Sequence, residues 1–424
     1  MKLPYIIRYL LTAIFAMGSL MGCIDSFEAE TSDSGNILVI DARITNHEST
    51  QVVFLSRTVA FGTDTLYTVS GASVFLESES GPQYEFQEHE AGEYRSSQVL
   101  GLTGGSRYRL AVRTTDGREY YSSFERMPDQ IPISEVKIVR DINGLQQEGV
   151  SVLVSNQGRS ENSGAYRYAY EETYKVVPPF YNPFEWGEVD YTFDDGDGWG
   201  VAVEPRAVDV SICYATNEST DIILANTANL GENRIVNFPI RFIGKDNYII
   251  AHRYSILVRQ FHQSPEAHSF YSTLEDFSSS ESIFNTIQPG FLEGNMRAAD
   301  GGMVVGYFEL SSYSEQRVFF SYEDLFPGED LPPYLTNCAT GAPPLYPEGF
   351  HIGPDGVLDG VTGSPLLDAI QANLIAYHAE NEDFEDYIER EGRLGGAAPY
   401  LTKPLSCVDC TAVGSTEIPE FWIE

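Results

Sequence analysis

Basic residues are scarce in this chain of 424 residues. It holds 26 lysines and arginines against 62 aspartates and glutamates, a formal charge of −36. Nucleic-acid binders need a basic footprint to displace counterions, so that function class is excluded. Adsorption to anionic lipid through surface charge is excluded on the same ground. Long apolar runs are also missing. After residue 22 no segment reaches the roughly 20 residues that a membrane-spanning helix needs. The familiar catalytic signatures are absent as well. Seven histidines occur, but none forms H-E-x-x-H or pairs with another at ligand spacing, and there is no G-x-S-x-G elbow or Walker loop. With so many acids, carboxylate pairs arise by chance and cannot identify a glycosidase. The chain reads as non-catalytic.

What is present begins at the N-terminus. Lys2 and Arg8 precede an apolar stretch from Tyr9 to Leu20, which ends in Leu20-Met21-Gly22-Cys23. A basic start, a short apolar core and small residues before the cut describe a secretory signal. A cysteine directly after the glycine makes the motif resemble a lipobox, in which Cys23 is acylated and becomes the first residue of the mature protein. Residues 1–22 are thus a signal peptide, and its removal leaves 24 basic against 62 acidic residues, a charge of −38. Residues 23–35 read as an acidic tether with no periodicity. In Bacteroidetes-type lipoproteins, acids just after the cysteine are associated with export to the outer face of the outer membrane, and Asp25, Glu28 and Glu30 loosely resemble such a signal. The expected location is the outer membrane, lipid-anchored and facing the exterior.

From residue 36 the pattern changes to period two. Runs such as Leu38-Val39-Ile40, Val52-Val53-Phe54-Leu55, Val74-Phe75-Leu76 and Tyr108-Arg109-Leu110 alternate with turns rich in glycine. Short, evenly spaced strands predict an immunoglobulin-like β-sandwich over residues 36–128. Asp116-Gly117 predicts a hairpin with a type I′ turn. A second β-rich, sandwich-like domain is predicted over 129–424, with a few C-terminal helices, so the fold class is mainly β. Tyr166, Tyr168 and Tyr170 share one strand face, either a core stripe or a platform for stacking sugars. Ser264-Pro265 predicts a helix to about Phe277, and Ser364-Pro365 a second, carrying Leu366, Ile370, Leu374 and Tyr377 on one face. Between them, residues 304–310 and 317–320 read as two strands.

Several phrases, in order, resemble one family. They are Leu38 to Thr45, Val53 to Thr58, Gly117 to Ser123, Asn237 to Ile240, Tyr254 to Val258, Ser282 to Asn285, and Gly294-Asn295 followed by Val305 to Phe308. Cys407-Val408-Asp409-Cys410 and Pro419-Glu420-Phe421-Trp422 close the series. The chain is identified by this resemblance as a member of the Bacteroidetes lipoprotein family catalogued as domain of unknown function 4249. The tail departs from the family pattern at Val413-Gly414-Ser415, and the tract from Pro178 to Gly200 has no counterpart in it. The resemblance implies no biochemical activity. It implies a setting, because these lipoproteins tend to be encoded beside TonB-dependent outer-membrane receptors.

Cys213, Cys338, Cys407 and Cys410 remain beyond the lipid site. An exported compartment permits disulfides, and four thiols allow three pairings. A four-thiolate zinc site is the alternative, because Cys407 and Cys410 have ligand spacing. Asp194, Asp195 and Asp197 lie among glycines and form a candidate calcium loop, with an acidic surface hairpin as the plain reading. Trp186, Tyr191 and Trp199 flank them as a candidate contact patch for ligand or partner. The expected function is a non-catalytic accessory or ligand-capture partner of a TonB-dependent transporter. The alternatives are a structural or adhesive surface lipoprotein, and a hydrolase whose residues fall outside the motifs sought.

Overall fold

The computed structural model describes residues 37–59, 67–158, 164–191, 199–228, 232–279, 294–352, 358–359 and 363–424. The protein is mainly β, as its alternating sequence predicts. Lipidation at Cys23 and the calcium candidates Asp194, Asp195 and Asp197 lie outside the described residues. So does the phrase Ser282 to Asn285. No described helix is long and apolar enough to cross a membrane.

One strand organises the molecule. Val304–Ser321 runs for 18 residues. Its first half pairs in parallel with Leu38–Thr45, so that Leu38 lies opposite Val304 and Thr45 opposite Ser311. Its second half pairs antiparallel with Arg253–Gln263 on the other side. The single sheet that results runs from Cys213–Glu218 through Ala165–Val176, Arg253–Gln263, the long strand and Leu38–Thr45. It continues through Val52–Arg57, Glu93–Ser96, Gln83–Glu90, Ser73–Ser78, Arg107–Arg113 and Glu119–Ser122 to Met296–Ala298. Sequence alone separated residues 304–310 from 317–320 at the polar run Ser311 to Gln316. The structure joins them, because Ser311 pairs with Thr45 and Ser312 to Gln316 pair with Arg253–Gln263.

Where the long strand changes partners, amide side chains serve its backbone. Asn46 Oδ1 accepts from the Tyr313 N–H at 2.7 Å, and Gln130 Nε2 donates to the Tyr313 carbonyl at 3.2 Å. Asn295 does the same further up. Its Nδ2 donates to the Phe308 carbonyl and its Oδ1 accepts from the Phe308 N–H, both at 2.8 Å. A side-chain amide thus imitates a ladder pair and brings the far end of the sheet back to the long strand. The approach is close: a Cβ on Gly294 would lie 1.7 Å from the Gly306 carbonyl oxygen, and Gly306 itself adopts φ 130°.

The curled part of the sheet encloses the first core, with Leu38, Ile40, Val53, Leu76, Tyr94 and Leu110 at its centre. Met296, Phe308 and Leu310 complete it. The first module therefore draws on residues far beyond position 128. The Asp116-Gly117 turn forms, with Gly117 at φ 84° and Asp116 on the ordinary side of φ, so it is not type I′. Gly117 N–H donates to the Thr114 carbonyl at 2.9 Å.

The second core lies between the other end of the sheet and a three-stranded sheet of Ile133–Ile142, Glu148–Asn156 and Phe238–Gly244. Tyr166, Tyr168 and Tyr170 are buried in it, which settles the tyrosine stripe as core. Their hydroxyls do not go unused: Tyr166 donates to Asn233 Oδ1 at 2.6 Å and Tyr168 to Gln260 Oε1 at 3.0 Å. Glu172 ties the two layers, accepting from Tyr254 at 2.6 Å and from Arg241 of the opposing sheet at 3.3 Å.

Two disulfides join distant segments, Cys213–Cys410 across 197 positions and Cys338–Cys407 across 69. All four thiols are consumed, which overturns the zinc alternative. The helix predicted to about Phe277 spans Pro265–Ser279, with Ser264 Oγ accepting from the Ala267 N–H at 3.1 Å. The second helix is shorter than its periodicity suggests. Pro365–Gln371 ends before Asn373, which adopts φ 54°, and Leu374 is 62% exposed. Tyr377 belongs instead to the strand Ile375–Glu380, paired with Tyr400–Pro404.

Removing the Asn295 clasp leaves the buried Phe308 backbone without its partners. Asn295→Ala is expected to lower stability by about 1–3 kcal/mol. Urea unfolding monitored by circular dichroism checks it; an unchanged midpoint would mean that the sheet does not depend on this closure.

Candidate functional site

Alternate residues of a strand point to opposite faces. The even-numbered residues of the long strand face the cores, so its odd-numbered ones face away. On that back face neighbouring strands place side chains in rows. Arg167, Phe261 and Tyr313 form one row, Ala169, Arg259 and Glu315 the next, and Glu171, Leu257 and Arg317 a third. Asp41 and Arg43 continue the face onto Leu38–Thr45, and Phe54 lies opposite Asp41 on the next strand.

Two elements cover parts of this face. At one end the helix Pro265–Ser279 sets Tyr271 against Arg167, with the guanidinium 5.2 Å from the ring, and Phe270 against Tyr307 at 4.7 Å. At the other end lies the C-terminal segment. Arg317 sits 3.5 Å over the Phe421 ring, Trp422 packs edge-on to Tyr214 at 4.8 Å, and Lys175 pairs with Glu424 at 3.1 Å. Between the two covers an open groove of about 530 Å³ remains. Arg167, Ala169, Arg259 and Phe261 line it, with Phe54, Tyr313 and the His47 to Gln51 turn along its margin.

Beneath one end of the groove lies a buried ion pair. Arg167 Nη2 reaches Glu309 Oε2 at 3.2 Å, and Gln263 Nε2 donates to Glu309 Oε1 at 2.9 Å. The Glu309 carboxyl is fully buried. Burial pushes its pKa up, but Arg167, Gln263 and Tyr271 outweigh that and hold it below its ordinary value. The Arg167 guanidinium lies 4.1 Å from the Phe261 ring. Arg43 is opposed by its own burial, yet Asp41, Tyr271 and Glu309 raise its pKa. Burial and the nearby Glu309 push the Tyr271 hydroxyl well above its usual range. The Glu309 carboxyl is thus held ionised and the Tyr271 phenol neutral. Such a surface can present oriented donors, acceptors and rings.

The predicted contact residues lie elsewhere and do not form an exposed patch. Trp199 is 8% exposed and packs on Tyr346 and Phe350 at 5.4 and 6.0 Å. Trp186 packs edge-on to Tyr377 and Tyr400 and donates to the Ile375 carbonyl at 3.3 Å. Tyr191 donates to Asp368 at 2.6 Å, and burial, reinforced by that carboxylate, pushes its pKa up to about 12. These three residues belong to a third, small core with Leu366 and Leu367. The tract from Pro178 to Gly200 contributes the strand Phe184–Asp190, which pairs with Gly200–Pro205, and Trp186 braces it against the strand Ile375–Glu380. Its rings were read as contact residues because apolar periodicity cannot reveal a partner segment 150 positions away. Among the described residues no group of histidine, cysteine, aspartate or glutamate side chains is placed to hold a metal ion.

The groove residues escaped sequence reading, although a signal was present. Arg167 interrupts the tyrosine stripe, and Glu309 interrupts the apolar run from Val304 to Leu310. Isolated charges inside strands of opposite alternation point to a covered, polar second face.

A family model described as a domain of unknown function (DUF4249) matches residues 24–317. The match takes in every strand that lines the groove and ends before the C-terminal disulfide segment. No curated protein matches the chain.

Glu309→Gln leaves the Arg167 charge buried without a counter-ion and is expected to cost about 3–5 kcal/mol. Joint replacement by Arg167→Met and Glu309→Leu should recover much of that loss. A carboxyl with a lowered folded pKa stabilises fully above its unfolded value, near 4.5, and less as pH falls through the folded one. The parent should therefore lose stability below about pH 4.5 more steeply than Glu309→Gln. Thermal melts from pH 3 to 7 test both points, and equal slopes would remove Glu309 from the acid response.

Proposed function

The chain belongs to the family described as a domain of unknown function (DUF4249), and we propose that it is a lipid-anchored, non-catalytic outer-membrane protein. In this reading it captures ligand in the back-face groove and works beside a TonB-dependent transporter. The observation that carries the reading is the groove itself. It is open, its volume falls within the range of about 300–1,000 Å³ typical of small-molecule sites, and its polar groups are held in place before any ligand arrives. Preorganisation of this kind lowers the entropic cost of binding.

The position of the groove supports the same reading. The tether leads into Leu38–Thr45, the strand that supplies Asp41 and Arg43. From Leu38 to Arg43 is roughly 17 Å of extended chain, and fifteen positions separate Leu38 from Cys23 in the sequence. An acyl chain on Cys23 would thus keep the groove close to the membrane surface, where a transporter mouth lies. The lipobox supports the anchor, and the family setting supports the transporter partner.

Three outcomes are expected. Cys23→Ala should move the protein from the membrane to the soluble fraction while its melting temperature stays unchanged, because the tether separates lipid from fold. Tagged parent protein, drawn from outer membranes in mild detergent, should bring down a TonB-dependent transporter in stoichiometric amount. Ala169→Trp, which fills the groove floor, should abolish ligand capture without releasing the transporter. Recovery of the tagged chain alone, across several detergents, would reject the transporter partnership in favour of a structural or adhesive role.

A further inference from the structure

The chemistry of the groove wall selects among ligand classes. This step rests on the reading of the groove as a capture site and goes on to name what it captures. Three arginines line it, Arg43, Arg167 and Arg259, and three acids, Asp41, Glu218 and Glu315. Each arginine is already matched. Arg43 holds Asp41 at 2.9 Å, Arg167 holds Glu309 at 3.2 Å, and Arg259 holds Glu171 at 2.7 Å and Glu218 at 3.3 Å. An anionic ligand would meet no uncompensated cation and would approach Glu309 and Glu171 beneath the floor. A cationic ligand would meet Asp41 and Glu218 already paired, and Glu315, which accepts from the Tyr313 hydroxyl, as the lining acid with no ion pair among the described residues.

The pairs nevertheless leave hydrogen-bonding capacity. A guanidinium carries five N–H donors and a carboxylate about four lone-pair sites, and one or two contacts do not exhaust either. No described residue bonds to Arg167 Nε, although Arg167 is 8% exposed. Donors and acceptors therefore alternate over a lining in which three arginines stand against three acids. A hydroxyl is the ligand group that both donates and accepts, and several hydroxyls at close spacing satisfy such a mixed wall.

Rings supply the second element. Phe54 is 45% exposed and stands beside Asp41. Tyr313 packs edge-on to His47 at 4.5 Å and to Phe261 at 5.5 Å. Ala169, in the row next to Arg167 and Phe261, leaves the floor low between them. Flat apolar faces beside fixed polar groups suit a molecule with one apolar ring face and a hydroxyl-bearing edge.

We propose that the groove binds a neutral saccharide, with Phe54 and Tyr313 as its stacking walls and Arg43, Arg167 and Arg259 as its oriented donors.

Isothermal titration of the full chain in mild detergent tests this. The probes are neutral oligosaccharides of glucose, mannose, galactose or xylose, with polygalacturonate and a lysine-rich peptide as charged comparisons. At least one neutral oligosaccharide should bind, with an affinity that changes less than about twofold between 50 and 500 mM salt, because no net charge is neutralised. Phe54→Ala should weaken it roughly three- to tenfold through lost stacking. Ala169→Trp should abolish it, with melting temperatures of both variants unchanged. Binding confined to the charged probes, with steep salt dependence, would overturn the proposal. So would the failure of every neutral probe, or binding that persists in Ala169→Trp. Co-purification with a transporter is a separate measurement, so loss of the saccharide assignment would leave the partner question where that experiment puts it.

Discussion

The backbone of one strand has to satisfy two neighbourhoods at once. Val304–Ser321 belongs to a parallel pair in its first half and an antiparallel pair in its second. Parallel and antiparallel ladders space their hydrogen bonds differently, so a strand that passes from one to the other leaves groups unserved at the crossing. Asn46 and Gln130 meet that need at Tyr313 with side-chain amides, and Asn295 serves the free edge of the parallel half at Phe308. Because both cores lie on the same face of this strand, the opposite face is continuous across the two modules. The groove exists where that continuous face is left uncovered between a helix and the C-terminal segment.

Much of the architecture was legible in the sequence, for local reasons. Alternation identified the strands, Ser264-Pro265 identified a helix start, and glycine identified the turn at Gly117. What could not be read depended on distant chain. The alternation around Ile40 is the same whether its neighbour is another local strand or residues 304–311. The helix from Pro365 was overextended because Leu374 and Tyr377 continue the helical period. A left-handed Asn373 and a β partner at Tyr400–Pro404 override it.

The candidate site was harder to read for a related reason. Its residues are ordinary strand positions on the polar side of an alternating pattern, where arginine, glutamate and tyrosine usually meet solvent. Only their assembly from six strands turns them into a wall. Trp186 and Trp199 are rare, large rings, and large rings most often close a core, as they do here with Tyr346 and Phe350. The disulfides serve that same region. Cys213–Cys410 ties the C-terminal unit to the edge strand of the sheet, and Cys338–Cys407 staples that unit internally, where its own core of few residues would be small for independent stability.

The parallel pairing of Leu38–Thr45 with Val304–Ser321 also bears on how the protein is made. The first strand to emerge during synthesis is among the last to find its neighbour. Until residues beyond 304 arrive, one of its edges offers unpaired N–H and carbonyl groups beside an apolar face, the combination most apt to join a foreign strand. Contacts this remote in sequence also slow folding, since a long loop must close before they form. A chain cut short before this strand would have its opening residues and no means of sheltering them. Folding is therefore contingent on chain completion, and Leu38–Thr45 is the strand whose edge stays open longest before its partner is made.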